Sequence, residues 1–533
     1  MIGTMQSSNN ATTSDIFRAW LVATSVLCGG LVMTLEVLGS RVIGPLFGAS
    51  LFVWTSLIAV TLLALAVGYA LGGRLADRSD GSPDLLYGLI ALSGIATLAV
   101  PFMRGAVLGA CVPLGIRLGA FTSAFVLFAP PLLLLGMVSP FIVRLATREL
   151  RSVGWTVGLF SALSTGGSVA GTIATGFFLV PRFGVTSIFT ASGLILLALA
   201  AGWFGVARRR LAAMVLLLPL PMLLREEPLV SKVQENGTSA TVVVKRESAY
   251  GQLKVIDYSY GESRTRELMI DGLVQGGIDL GSGLSIYEYP YFMSRLARAK
   301  NPTGTRALAI GLGAGVVPTW FEERGVRCDV IEIDPEIVRL AREQFAFHAS
   351  GVIHVEDARA SLARLDGQWD YVLLDVFGGD TTPGHLLSRE ALALVEPRLA
   401  PGGVLAANLI TELAPAPWVL ASVVRTMQTV FDVVEIHPTF DPSASGPGFG
   451  NVVVIAYDGP RREIVRDDLL REPAHGLTRE LVHANLGREW TLPPEASGTI
   501  LTDEFNPIDF FDRRTRERVR AQIIAGTDFD ILL

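Results

Sequence analysis

The stretch Ala307-Leu-Ala-Ile-Gly-Leu-Gly-Ala-Gly-Val-Val-Pro318, followed by Val330-Ile-Glu-Ile-Asp334, decides the fold of the second half of this chain. An apolar strand runs into a glycine turn and a helix, and a second apolar strand ends on a carboxylate. In an α/β sheet that pattern suits an adenosine-containing ligand. Glycines let the backbone approach it, and the acid grips a ribose diol. The spacing here is Gly-x-Gly-x-Gly (Gly311, Gly313, Gly315), which departs from the dinucleotide pattern Gly-x-Gly-x-x-Gly.

Outward from this point, strands are expected at 307–311, 328–333, 351–355, 371–375, 404–410 and 451–457. Helices fall between them, as at 336–345 and 389–399, which is the doubly wound alternation. Ligands in such sheets bind at the carboxyl ends of the strands. Glu332, Asp357 and Asp375 all fall at those ends beside the glycine turn. Glu332 can accept both ribose hydroxyls. Asp357 can accept from an adenine amino group, or cap a helix over 358–365. Asp375 closes the apolar run Tyr371-Val-Leu-Leu. It can take a proton from an attacking amine or hold its ammonium form. Residues 233–300 read as β-rich, with extended runs at 241–245, 253–258 and 267–270 and a turn at Asp271-Gly272.

The amino-terminal part is of another kind. The chain has 533 residues, 50% of them apolar, but the first ~225 hold few charges, as membrane segments do. Apolar stretches cover 20–38, 51–71, 85–100, 121–143, 157–180 and 188–206, most of them near the ~20 residues a spanning helix needs. A seventh, 211–224, is shorter and carries Pro219 and Pro221. Arg74 and Arg78, Arg144, Arg148 and Arg151, and Arg208–Arg210 follow the second, fourth and sixth stretches. Positive-inside reasoning puts those loops, and the amino terminus, in the cytoplasm. A re-entrant or interfacial seventh segment keeps the soluble half there too, which its short length favours, whereas a spanning one would put that half outside. The first apolar segment lacks a cleavage site and reads as a retained helix. Glycines four apart (Gly68/Gly72, Gly154/Gly158, Gly167/Gly171) are expected to let helices pack closely, and Pro130, Pro131 and Pro140 to kink the fourth span.

These readings give a disordered segment at 1–16 and a multi-pass helical bundle in the cell (inner) membrane at 17–226. A β-rich subdomain at 233–300, a Rossmann-like catalytic domain at 301–460 and a carboxyl-terminal extension at 461–533 follow. The net charge of −6 argues against a nucleic-acid partner. Three scattered cysteines and six histidines suggest neither a disulfide framework nor a metal site.

Several motifs together resemble the spermidine synthase (aminopropyltransferase) family, which is built on a methyltransferase-like sheet. The membrane-fused branch, fused transporter/spermidine synthase, is more similar still. The resemblance covers about 247–507. Ser248-Ala-Tyr250-Gly-Gln252 resembles the family's Ser-x-Tyr-Gln start. Leu268-Met-Ile-Asp271-Gly-Leu-Val-Gln275 resembles its strand and turn, and Tyr287 its substrate-side tyrosine. Asp375-Val-Phe-Gly-Gly-Asp380-Thr-Thr-Pro-Gly-His385 resembles the branch's catalytic loop, and Leu501-Thr-Asp-Glu-Phe-Asn-Pro507 its closing segment.

The resemblance implies Asp375 as the catalytic acid. It implies Gly311, Gly313, Gly315, Glu332, Asp357 and Gln252 at the cofactor, and Tyr250, Asp271, Gln275, Tyr287 and Asp380 at the amine. It implies decarboxylated S-adenosylmethionine or S-adenosylmethionine as co-substrate, no metal, a small-molecule amine acceptor such as putrescine, and a homodimer beside the lipid bilayer. Two positions depart from the family. Ala314 replaces an Asp that helps hold the aminopropyl ammonium. The Tyr-His-Glu triplet is here Tyr287-Glu288-Tyr289. Alkylation of a lipid or other membrane-borne acceptor by S-adenosylmethionine stays open, as does a transporter or sensor with a non-catalytic nucleoside domain.

Overall fold

A computed structural model of the protein describes the backbone of residues 3–48, 51–147, 153–207, 218–219, 230–233, 237–377, 383–414, 416–442 and 448–532. The chain divides into two compact units, one of residues Met1–Pro228 with the loop Glu247–Gly251, the other of Leu229–Arg246 and Gln252–Leu532.

The first unit is helical: α1 (Gly3–Phe47), α2 (Leu51–Arg78), α3 (Pro83–Cys111), α4 (Gly115–Ala146), α5 (Val153–Ile173) and α6 (Val185–Gly202). Among the described residues, five stretches are long and apolar enough to cross a membrane. One of them, Pro83–Ala146, spans 64 residues and contains both α3 and α4, joined by a single 3-10 turn. Helix α1 is described from Gly3 onward. Once a helix exists, each further residue adds a backbone hydrogen bond, so a polar run without proline extends it.

Without a hydrophobic force between helices in lipid, close backbone packing holds such a bundle together. Gly68 and Gly72 of α2 meet α4 so tightly that a Cβ on them would lie 2.4 Å from the Leu133 carbonyl oxygen and 2.6 Å from Met137 Cα. Gly167 and Gly171 of α5 meet Val26 and Gly30 of α1 in the same way. Among the described residues nothing lies within 4 Å of a Cβ on Gly154 or Gly158. Helix α4 continues through Pro130, Pro131 and Pro140. The segment 211–224 lies almost wholly outside the described residues.

The second unit begins with an antiparallel sheet, β1 (Ser231–Val233), β2 (Ser239–Glu247), β3 (Gln252–Tyr260), β4 (Ser263–Ile270) and β5 (Leu273–Asp279), ordered as numbered. Helix α7 (Tyr289–Lys300) leads into the alternation β6 (Arg306–Ile310), α8 (Val316–Glu322), β7 (Arg327–Glu332), α9 (Pro335–Gln344), β8 (Ile353–Val355), α10 (Ala358–Arg364), β9 (Trp369–Leu374), α11 (Arg389–Val395), β10 (Leu399–Glu412), α12 (Trp418–Met427), β11 (Val433–Pro438) and β12 (Phe449–Tyr457). Seven strands form one sheet in the order β11-β12-β10-β9-β6-β7-β8. β6 to β10 run parallel, and β12 is antiparallel to both neighbours. This is the doubly wound, methyltransferase-like sheet expected from the sequence. Its central strands are apolar throughout because both faces are covered.

The two sheets share a core. Leu253, Val255 and Leu268 pack with Ala309, Leu312, Ala314 and Val330, which brings the β4–β5 hairpin against the glycine turn. The carboxyl-terminal residues close on the small sheet. Lys254, 3% exposed, donates to the carbonyls of Ile531 and Leu532 at 2.8 and 2.9 Å. After the short helices α13 (Arg466–Leu469), α14 (Arg479–Asn485) and α15 (Ile508–Phe511), Arg520 of α16 (Arg513–Gly526) donates to the Asp271 carbonyl at 2.8 Å. The helix expected over 389–399 stops at Val395. Pro397 follows in a 3-10 turn, and Leu399 already belongs to β10.

Candidate active site

The sheet changes direction between β6 and β9, with β7 and β8 to one side and β10 to the other. At such a switch point the loops diverge and leave a crevice above the carboxyl ends of the strands. Here the two chains touch as they leave the sheet. Asp375 N–H donates to the Ile310 carbonyl at 2.9 Å. A Cβ on Gly311 would stand 2.2 Å from the Asp375 carbonyl oxygen, and Gly311 has φ +88°. Only glycine fits there. Gly313 (φ +52°) lies equally close to the hairpin, 2.7 Å from the Gln275 carbonyl oxygen for an added Cβ. Gly315 precedes α8.

Glu332 ends β7 and is 6% exposed. Its carboxylate accepts from Leu312 N–H at 3.0 Å and Asp334 N–H at 2.9 Å. Burial pushes its pKa up to about 7 against those bonds. The two oxygens thus each brace the backbone, and the Ile333 N–H pulls the same way. Asp357 caps α10 by accepting from Ala360 N–H at 2.9 Å; its other oxygen lies 4.0 Å from His385 Nε2.

Asp375 follows β9. Asn408, fully buried on β10, donates to it at 3.0 Å. The Tyr289 hydroxyl at the start of α7 bonds it as well. Burial raises the Asp375 pKa to about 6, and the two hydrogen bonds pull the other way. Such a carboxyl is ionised at neutral pH but poised to take a proton. Sequence reasoning missed Asn408 and the role of Tyr289. Asn408 had a signal: it is the one polar residue in Val404-Leu-Ala-Ala-Asn-Leu-Ile410.

The hairpin supplies the facing wall. Gln275 is the extra residue of a bulge between β4 and β5, which turns its carbonyl toward Gly313. Gln252, 7% exposed, starts β3; its N–H donates to the Asp271 carboxylate at 2.9 Å. Asp271 sits at φ +46° and so braces the hairpin corner. Tyr287 donates its hydroxyl to Glu267 at 2.6 Å. Glu288 accepts from Thr439 at 3.1 Å. Tyr250, half exposed, lies on the loop Glu247–Gly251, which groups with the helical unit. Asp380 lies outside the described residues. Among the described residues no group of three or more His, Cys, Asp or Glu is arranged to hold a metal.

No family model matches the chain. A polyamine aminopropyltransferase of Vibrio vulnificus is 40% identical over 128 residues, 22% of this chain and 43% of that protein. That stretch of the chain is similar to polyamine aminopropyltransferases. An N-terminal histidine N-methyltransferase of Emericella nidulans is 30% identical over 156 residues, 28% of each chain. A polyamine aminopropyltransferase of Mycobacterium tuberculosis is 24% identical over 481 residues, 83% of this chain and 87% of that one. That alignment is too long for the second unit alone, so it reaches into the helical unit. The chain spans less than half the length of the first two relatives. Within the triplet Tyr287-Glu288-Tyr289, Tyr289 is the residue that meets Asp375.

Proposed function

We propose that this protein is a membrane-attached aminopropyltransferase. It moves the aminopropyl group of decarboxylated S-adenosylmethionine to a diamine such as putrescine and releases methylthioadenosine. The observation that carries the reading is Asp375, held by Asn408 and Tyr289 beside the glycine turn, in a half similar to polyamine aminopropyltransferases. The glycine turn and Glu332 suit the adenosine end. A Cβ at Gly311 or Gly313 would close the approach, and Glu332 has acceptor capacity facing a ribose. Asp357 then serves adenine with the oxygen that does not cap α10.

The chemistry asks little of the protein beyond placement. The sulfonium is a good leaving group. The amine nitrogen forms a bond to the adjacent propyl carbon, and the carbon–sulfur bond breaks with its electron pair going to sulfur. Alkylamines have a pKa near ~10.4, so the acceptor arrives protonated. Asp375 takes the proton, Asn408 and Tyr289 fix its orientation, and alignment supplies most of the rate. The apolar stretches would anchor the enzyme, and the arginine-bearing loops support a cytoplasmic face for its second half by the positive-inside rule.

Purified full-length protein in detergent, given putrescine and decarboxylated co-substrate, is expected to release methylthioadenosine. No release would reject the proposal. Ala314 and the histidine N-methyltransferase relative favour one second reading, alkylation of a membrane-borne nucleophile by S-adenosylmethionine itself. Label from methyl-labelled S-adenosylmethionine entering a membrane extract, with no aminopropyl transfer, would establish that reading instead.

A further inference from the structure

His385 has no part in the chemistry above, yet its backbone is fixed from several sides. It lies in the 3-10 turn Gly384–Leu386, between β9 and α11. Leu386 and Leu387, 5% and 1% exposed, root the turn in the core cluster that also holds Leu501. Asn506 donates to the Gly384 carbonyl at 2.7 Å. A Cβ on Gly384 would come within 3.2 Å of that Asn506 amide, so the turn is seated closely. Arg359 of α10 donates to the His385 carbonyl at 3.2 Å and to the Asp503 carboxylate at 2.7 Å. Asp503 in turn accepts from the Ser388 hydroxyl at 2.7 Å. The stretch 501–507 therefore clasps the turn against α10. None of these bonds uses the His385 imidazole, and its side chain is 55% exposed.

The same helix begins at Asp357, and the ring arrives there. Asp357 Oδ1 caps α10. His385 Nε2 stands 4.0 Å from Oδ2, beyond hydrogen-bond distance. An acceptor and a donor thus stand side by side without bonding each other. Adenine presents the complementary pair, an amino group that donates next to a ring nitrogen that accepts. The register of β7 and β8 sets Glu332 opposite Val355. A ribose held at Glu332 therefore leaves its base over the end of β8, beside Asp357. We propose that His385 is a base-recognition residue. Its neutral imidazole donates from Nε2 to the ring nitrogen, while the adenine amino group donates to Asp357 Oδ2. Arg359, Asp503 and Asn506 are positioning residues that hold the turn. A base with a carbonyl in place of the amino group would set two acceptors face to face, so the pair selects adenine. This deepens the adenosine end of the function proposed above and rests on it.

The test is calorimetric titration of the full-length protein in detergent with methylthioadenosine. His385→Ala should weaken binding about 3- to 10-fold, as the loss of one neutral hydrogen bond does. His385→Gln, which keeps an N–H donor, should bind more tightly than His385→Ala. Analogues then separate contact from scaffolding. With one of the two, 1-deaza- or 7-deaza-methylthioadenosine, wild type and His385→Ala should bind alike, because the accepting nitrogen is gone. Asp503→Asn loosens the clasp and should weaken binding in wild type, with no further effect in a His385→Ala background. Equal methylthioadenosine binding by wild type and His385→Ala overturns the assignment. So does a difference that persists with both analogues, since the imidazole would then act without touching a ring nitrogen. An equal loss from Asp503→Asn in both backgrounds overturns the positioning role. Absence of binding by wild type removes the adenosine site and this assignment with it, whereas the other outcomes leave that site standing.

Discussion

Asp375 combines two demands that pull against each other. In the proposed role it must be anionic to receive a proton, yet it sits where burial favours the neutral acid. With a pKa near 6, the turnover number should fall as pH drops through about 6, measured as kcat against pH under saturating substrates. Asp375→Asn should lower kcat at least about 100-fold while methylthioadenosine still binds. The linkage has a definite sign. A carboxyl whose pKa is raised on folding stabilises the fold below its unfolded pKa, and that contribution is lost as pH rises through the folded pKa. Asp375→Asn removes the dependence, so its Tm should gain on wild type between pH 4 and pH 7. At this scale the sequence showed the acids because each ends an apolar run. Asn408 carried a weaker signal, one polar residue in a buried strand. The tie from Tyr287 to Glu267 had none, because it depends on the pairing of two strands across a hairpin.

The elements explain why the acids meet. Parallel strands of similar length all end at one edge, so a residue placed at each strand end arrives in one crevice. The sequence disclosed these strands through their continuous apolar runs. It did not disclose β5, whose Gly276-Gly277 pair breaks the pattern, or β11, whose Glu435 and His437 are buried with partners supplied from elsewhere. Helix α10 carries a separable test. Asp357→Asn preserves the cap, since asparagine caps as well as aspartate, whereas Asp357→Ala should lose about 0.5–2 kcal/mol of stability. If Asp357 also serves the adenine amino group, Asp357→Asn should weaken methylthioadenosine binding at unchanged Tm. Equal binding by both proteins would restrict Asp357 to its cap.

Across the whole molecule, each unit is held by its own kind of interaction. In the helical unit glycines let backbones touch, which could be read from their spacing for α2 and α5, though not for Gly154 and Gly158. In the second unit Lys300 and Glu435, 3% and 1% exposed at their side chains, pair at 2.8 Å and tie α7 to β11. Burial alone would raise the Glu435 pKa, but bonds from His437, Lys300 and Tyr457 outweigh it and hold the value at about 2. Its contribution to stability is therefore present above the ordinary carboxylate range and lost as pH falls toward 2. Lys300→Met leaves that charge buried alone and should destabilise the protein by about 3–5 kcal/mol in chemical denaturation. A loss below about 1 kcal/mol would mean that water already reaches the pair.

The most direct measurement is calorimetric titration of the full-length protein with methylthioadenosine, repeated on Glu332→Ala. The strand-end acids and the glycine turn should give one saturable site per chain, weakened at least tenfold in the variant. Absence of binding, or identical binding by both proteins, would contradict a shared adenosine site at these strand ends.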